Sequence, residues 1–153
     1  MDPDELPAEE RLLNTQRTTA VTRTQGIDES GAFLLFEDRL DLGKVTPLHR
    51  HPEADETFYM LEGEVLLHID GEQRPFHAGG IAIIPRGIPH AFMVTSELAR
   101  MLCWQTPGSR EEFYRIASEP AVEGEPSSPI DFDRVREAAT QTGAIELLGA
   151  PPF

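Results

Sequence analysis

Between about Arg17 and Trp104 the chain sustains no helical apolar period. Short runs of β-branched and aromatic residues alternate with polar ones. Turn signals cut them every few residues: Gly26, Glu29-Ser30-Gly31, Gly43, Glu62-Gly63, Asp70-Gly71, Gly79-Gly80 and Pro85-Arg86-Gly87. Strands this short, with turns between them, mean an antiparallel sandwich or barrel. Asp70-Gly71, between Val65–Ile69 and Gln73–Phe76, is the clearest two-residue hairpin turn.

The flanks differ. Met1 to about Thr15 is polar and acidic, an arm in which Asp4–Leu13 forms a short helix if it docks. From Pro107 the pattern turns helical. Ser109-Arg110-Glu111-Glu112 is a capping box opening a helix to about Ser118, and Glu119–Pro129 is a linker. Asp131 then caps a second helix through Gln141, with Gly143 at its stop and an apolar, proline-rich tail, Leu147–Phe153, beyond. The chain thus divides into an arm (1–16), a β body (17–106) and a helical extension (107–153).

Composition excludes several partners. The 153 residues suit one domain with one core. They carry 27 acidic residues against 13 basic ones, a net charge of −14, and Lys44 is the only lysine among scattered arginines. No basic face exists to neutralise phosphates, so neither a nucleic acid nor an anionic membrane surface is an expected partner. No apolar run approaches the roughly 20 residues of a spanning helix. The acidic N-terminus does not read as a secretory signal. Cys103 is alone, which fits a reducing compartment, and the expected location is cytoplasmic.

The chemistry sits in two spaced runs. The first reads Gly43-(five residues)-His49-Arg50-His51-(four)-Glu56-(six)-Gly63; the second reads Gly79-(five)-Pro85-Arg86-Gly87-Ile88-Pro89-His90. Residues two apart on a strand share a face, so His49 and His51 can point inward together while Arg50 points away. Glu56 heads an inward row with Phe58 and Met60, and His90 heads one with Phe92 and Val94. Three imidazoles and one carboxylate at the ends of apolar rows make a metal site at the mouth of an apolar interior. Gly63 and Gly87 supply turn geometry, and Pro85 and Pro89 stiffen the loop before His90.

Elsewhere the plainer readings hold. His68 and His77 match no ligand position and read as hydrogen-bonded histidines, His68 facing solvent. Tyr59, opposite in phase to Phe58, is structural, and Cys103 is packing rather than a nucleophile. Arg86 and Arg100 receive no position from sequence.

The two runs resemble the paired cupin motifs, G(X)5HXH(X)3–4E(X)6G and G(X)5PXG(X)2H(X)3N, over Gly43 to Val94. Only the last position departs, with Val94 where the family usually has Asn. The resemblance implies an all-β fold, a single-domain cupin jelly-roll β-barrel with two C-terminal α-helices. It also implies one divalent transition metal ion (Fe, Ni, Mn, Co, Cu or Zn) held by His49, His51, Glu56 and His90. The run from His49 to Gly63 is similar to that of small bacterial quercetin-dioxygenase-like cupins. On that likeness the expected activity is a metal-dependent dioxygenase-type oxidoreductase using O2 on a small aromatic or enolisable substrate. Glu56 would be catalytic base as well as ligand, and Phe58, Met60, Phe92 and Met101 would line the substrate pocket. The same site also suits a non-oxidative isomerase, lyase or polyketide cyclase, or a cupin that only binds a small molecule. A homodimer is the family expectation.

Overall fold

The computed structural model describes residues 10–13, 16–19, 33–108, 111–120 and 131–153. Two antiparallel sheets face each other. The larger is built from β1 (Glu10–Leu13), β2 (Gln16–Thr19), β3 (Leu34–Asp41), β5 (Asp55–Glu62), β8 (Ile81–Ile84), β10 (Leu98–Thr106) and β11 (Glu119–Pro120), in the order β11-β1-β2-β3-β10-β5-β8. The smaller contains β4 (Leu48–Arg50), β6 (Glu64–Ile69), β7 (Glu72–His77), β9 (His90–Val94) and β12 (Glu146–Gly149), in the order β12-β4-β9-β6-β7.

Alternation along the central strands creates the core. Leu34, Phe36, Asp38 and Leu40 of β3 turn inward, as do Ala99, Met101, Cys103 and Gln105 of β10 and Glu56, Phe58 and Met60 of β5. Val65 and Leu67 of β6 and Phe92 and Val94 of β9 meet them from the other sheet. Each such aliphatic or aromatic side chain contributes about 1.5–3 kcal/mol by leaving water. Val94, at the position of the family's Asn, is 1% exposed and packs in this core. The Asp70-Gly71 turn joins β6 to β7 as the dipeptide demands, with φ of 49° and 86° at its two residues.

Two helices, α1 (Glu111–Ala117) and α2 (Phe132–Thr142), form a second small core through Phe113, Ala117, Val135 and Ala138. Asp131 caps α2 by accepting from the Arg134 amide, and Gly143 ends it in the left-handed conformation.

The architecture corrects four expectations. Among the described residues the jelly roll is two facing sheets rather than a closed barrel, because the hydrogen-bond ladders stop at β8 and β11 on one side and at β7 and β12 on the other. Glu10–Leu13 is a strand rather than part of a helix, and pairing with β2 and β11 satisfies its backbone groups. Asp4–Glu9, Ser109, Arg110 and residues 121–130 lie outside the described residues. The start of the expected linker is β11, paired to β1. The C-terminal tail opens as β12, which pairs with β4 and so supports the strand that carries His49.

Candidate metal centre and its cavity

The register of β4 against β9 places His49 directly opposite His90, with ring centroids 4.4 Å apart. His51 follows two residues later on the same face, its ring stacked on His90 at 5.3 Å. Glu56 comes from the other sheet, reaching His90 Nε2 at 2.9 Å and His51 Nε2 at 3.0 Å through Oε2. The two motif halves therefore meet across the interior. One donor atom from each of the four residues lies within 4.8 Å of every other.

Outer contacts orient these rings. His49 Nδ1 donates to Pro47 O at 2.8 Å and His90 Nδ1 to Ile88 O at 2.9 Å, while His51 bonds the Ala144 backbone. Commitment of one ring nitrogen to a carbonyl leaves the other to act as a metal donor. The loop before His90 is tied down as well. Asp55 accepts from the Arg86 amide at 2.9 Å and from its guanidinium, and Gly87 N donates to His51 O at 2.8 Å.

The electrostatics agree with a metal site. Burial pushes the His49 ring down to about 3, and the adjacent His90 and His51 add to that. Burial alone would raise the Glu56 carboxyl and lower the His51 ring. Their mutual attraction, helped at Glu56 by His90, overrides it, so Glu56 lies well below the usual carboxylate range and His51 above the usual imidazole one. His51 Nε2 is buried and makes no aligned hydrogen bond, close as it is to Glu56. An orphaned imidazole nitrogen beside an ionised carboxylate and two more imidazoles fits a transition metal. Donors around one ion at roughly 2.1 Å stand at most about 4.2 Å apart, so small side-chain adjustments suffice.

The centre opens onto a cavity with about 680 Å³ of empty space, part of it open to solvent. Phe58 and Phe92 line it, joined by Phe36 from β3 and by Phe113 and Tyr114 from α1. Met60 and Met101, expected beside them, are fully buried in the core and do not line the cavity. They face each other in register on β5 and β10, farther along the strands than Phe58 and Cys103. Cys103 does reach the cavity, where burial first, then Asp38 and Glu56, push its thiol well above 9.0. That thiol is no nucleophile.

Other expectations sort simply. Arg50 points outward and pairs with Glu146 at 2.7 Å; Arg86 pairs with Asp55 and Arg100 with Glu37, all outside the cavity. His77 Nδ1 bonds Glu64 at 2.8 Å. His68 is partly covered rather than solvent-facing. The C-terminal Phe153 lies edge-on to its ring at 6.2 Å, and its Nδ1 is buried without a hydrogen bond. Tyr59 is 39% exposed on the outer face.

Four cavity or support residues escaped the sequence reading. Asp38 and Gln105 lie in phase with inward apolar rows, a signal that a polar residue has been placed there for a reason. Gln105 Nε2 donates to Glu56 Oε1 at 3.3 Å and to Tyr114 Oη at 2.6 Å. Lys44, at an unspecified position of the first motif just after a turn, and Tyr114, on a helix beyond both motifs, carry no such signal.

Residues 36–105, which contain all four metal-ligand candidates, match the cupin domain family. This stretch is a cupin domain. Over 114 residues this cupin is 29% identical to the quercetin 2,3-dioxygenase of Bacillus subtilis (strain 168), which covers 72% of this chain but only 34% of that enzyme. The chain therefore spans about a third of the length of that curated relative. Among solved structures, an RmlC-like cupin from Shewanella frigidimarina superposes with a TM-score of 0.59 at 17% identity, over 74% of this chain and 94% of that one. A predicted oxalate decarboxylase from Thermotoga maritima superposes with a TM-score of 0.58 at 23% identity, over 69% and 96%. At these identities the superpositions establish the cupin fold alone.

Proposed function

We propose that this cupin is a metal-dependent oxidoreductase of the dioxygenase type, acting on a small aromatic or enolisable substrate with O2 as co-substrate. The observation that carries the reading is a three-histidine, one-glutamate cluster opening onto a cavity walled by phenyl rings. The 29% identity to a quercetin dioxygenase supports it. His49, His51, Glu56 and His90 would hold the ion, which when bound supplies Lewis acidity towards a substrate oxygen.

The chain's own residues do the rest. Phe36, Phe58, Phe92 and Phe113 flank an aromatic body and exclude water, which strengthens every polar contact inside. Glu56, kept ionised by its neighbours, is placed to accept a substrate hydroxyl proton. Tyr114 accepts from Gln105, so its own O–H is available to a ligand oxygen, and burial first, then Glu56, keep that phenol protonated. A non-oxidative enolising reaction is the second reading, favoured by the proton-carrying groups Lys44, Cys103 and Tyr114 in one cavity.

Metal-loaded protein is to be incubated with flavonols and other enolisable substrates in an oxygen electrode. Oxygen uptake that disappears in His49→Ala supports the dioxygenase. Anaerobic product formation would transfer the assignment to the second reading, and no turnover with any metal would overturn both. A homodimer belongs to the same proposal, since Ile81 and Ile83 are each 66% exposed on the edge strand β8. Sedimentation as a monomer at micromolar concentration would remove it.

A further inference from the structure

We propose that the cavity holds an anion-binding point at Lys44, and that this makes the substrate a monocarboxylic acid with an apolar or aromatic body. The inference rests on the cavity described above and deepens the proposed function, but it requires no turnover.

Lys44 follows the Asp41–Gly43 turn, where its N–H donates to Asp41 O at 3.1 Å and its carbonyl accepts from Val94 N at 2.8 Å. The backbone is pinned, and the side chain enters the interior. A lysine near a surface ordinarily runs its stem outward to leave the ammonium in water. Lys44 instead is 6% exposed and lines the cavity, with no hydrogen-bond partner for Nζ among the described residues. A buried ammonium that makes no hydrogen bond is costly to the fold even with the Asp38 charge acting on it, and a ligand anion would lower that cost.

The charge pattern narrows the ligand. Among the described residues Lys44 is the sole lysine or arginine lining the cavity, and Asp38 and Glu56 are its carboxylates. A phosphate dianion would add two negative charges to a cavity that already holds two carboxylates and one lysine, whereas a carboxylate adds one. Glu56 is already engaged with His51 and His90, and Asp38 accepts from Cys103 Sγ at 3.4 Å. Phe36, Phe58 and Phe92 then receive the apolar body.

The titration of the amine supports the assignment. Burial pulls Lys44 down to about 7, with Asp38 opposing in part. The groups that line the cavity with it are Asp38 on β3, Glu56 on β5, Cys103 on β10, Tyr114 on α1 and the imidazoles of His49 and His51. An arriving carboxylate stabilises the protonated amine. A guanidinium would stay charged whether or not the anion were present.

Because the chain has one lysine, protein labelled with 13C,15N-lysine gives a single side-chain signal with no assignment problem. The probe is benzoate, with benzamide as neutral control and inorganic phosphate as dianion control, on full-length protein freed of metal by a chelator. Benzoate should raise the Lys44 pKa by about one unit, and Lys44→Met should bind benzoate about tenfold more weakly, the two being linked. Benzamide affinity should be the same in both proteins, and phosphate should leave the signal unmoved. A lysine titrating near its ordinary value and unmoved by benzoate overturns the proposal. So does equal benzoate affinity in Lys44→Met, or a response to phosphate as large as that to benzoate. Absence of O2 uptake would remove the dioxygenase reading and leave this result standing.

Discussion

Each imidazole of the centre is held by a backbone group, of Pro47, Ile88 or Ala144, and the Nε2 atoms of His51 and His90 turn toward Glu56, so the rings are oriented before any ion arrives. His49→Ala should therefore purify with less than about a tenth of the parent's metal by elemental analysis, while His77→Ala keeps all of it. Equal metal in parent and His49→Ala would refute the site. Lys44 gives a pH prediction at the same scale. Its folded pKa of about 7 lies below the 10.5 of the free side chain, so the folded state binds fewer protons between those values. Stability consequently rises with pH through that window, and the full penalty of burying the charge is present below it. Urea midpoints should report a gain of about 1–2 kcal/mol between about pH 7 and about pH 8.5 that is absent in Lys44→Met. Above that range Cys103 acts in the opposite direction, since burial raises its thiol pKa in the folded state. The facing of the four metal-ligand candidates was legible because strand alternation converts spacing directly into facing. Lys44 was not, since nothing local says which way a lysine after a turn will run.

Among the elements, the turns and the late strands matter most to the site. Gly63 and Gly87 both adopt φ of +81°, but their surroundings differ. A Cβ at Gly63 would collide with Leu98 O and Ser96 Oγ, whereas one at Gly87 meets nothing within 4 Å. Gly87→Ala should cost about 1–2 kcal/mol from the backbone conformation alone. Gly63→Ala should cost at least about twice that or prevent folding, a contrast that thermal melts will read. Truncation after Ile145 removes β12, the Arg50–Glu146 pair and the Gln73 Nε2 bond to Pro152 O at 3.0 Å. With β4 left as an edge strand, metal affinity should fall about tenfold or more, measurable by chelator competition. The two helices, the Asp131 cap and the Asp70-Gly71 hairpin follow from local chemistry. β12 and β11 do not, because a four-residue and a two-residue strand exist only through the partners that they pair with.

For the whole molecule, the decisive fact is that His49 and His90 belong to one sheet, with His51 just past the end of β4, and Glu56 to the other. An ion held by all four would join the sheets across the open end of the jelly roll. A metal present at about a hundred times its dissociation constant should stabilise the fold by about 2.7 kcal/mol, and chelation should lower the melting temperature accordingly. No shift in any metal would show that the cluster binds none. Among the described residues no helix is long and apolar enough to cross a membrane. The all-β body, the terminal helices and the cluster of ligand candidates could be read from the amino acids alone. They depend on period, turn type and spacing, which are local quantities. The open edges, the burial of Met60 and Met101, and the meeting of Lys44, Asp38 and Tyr114 in one cavity could not. Those follow from how two sheets and a helix pair close on one another, and long-range packing sets that closure.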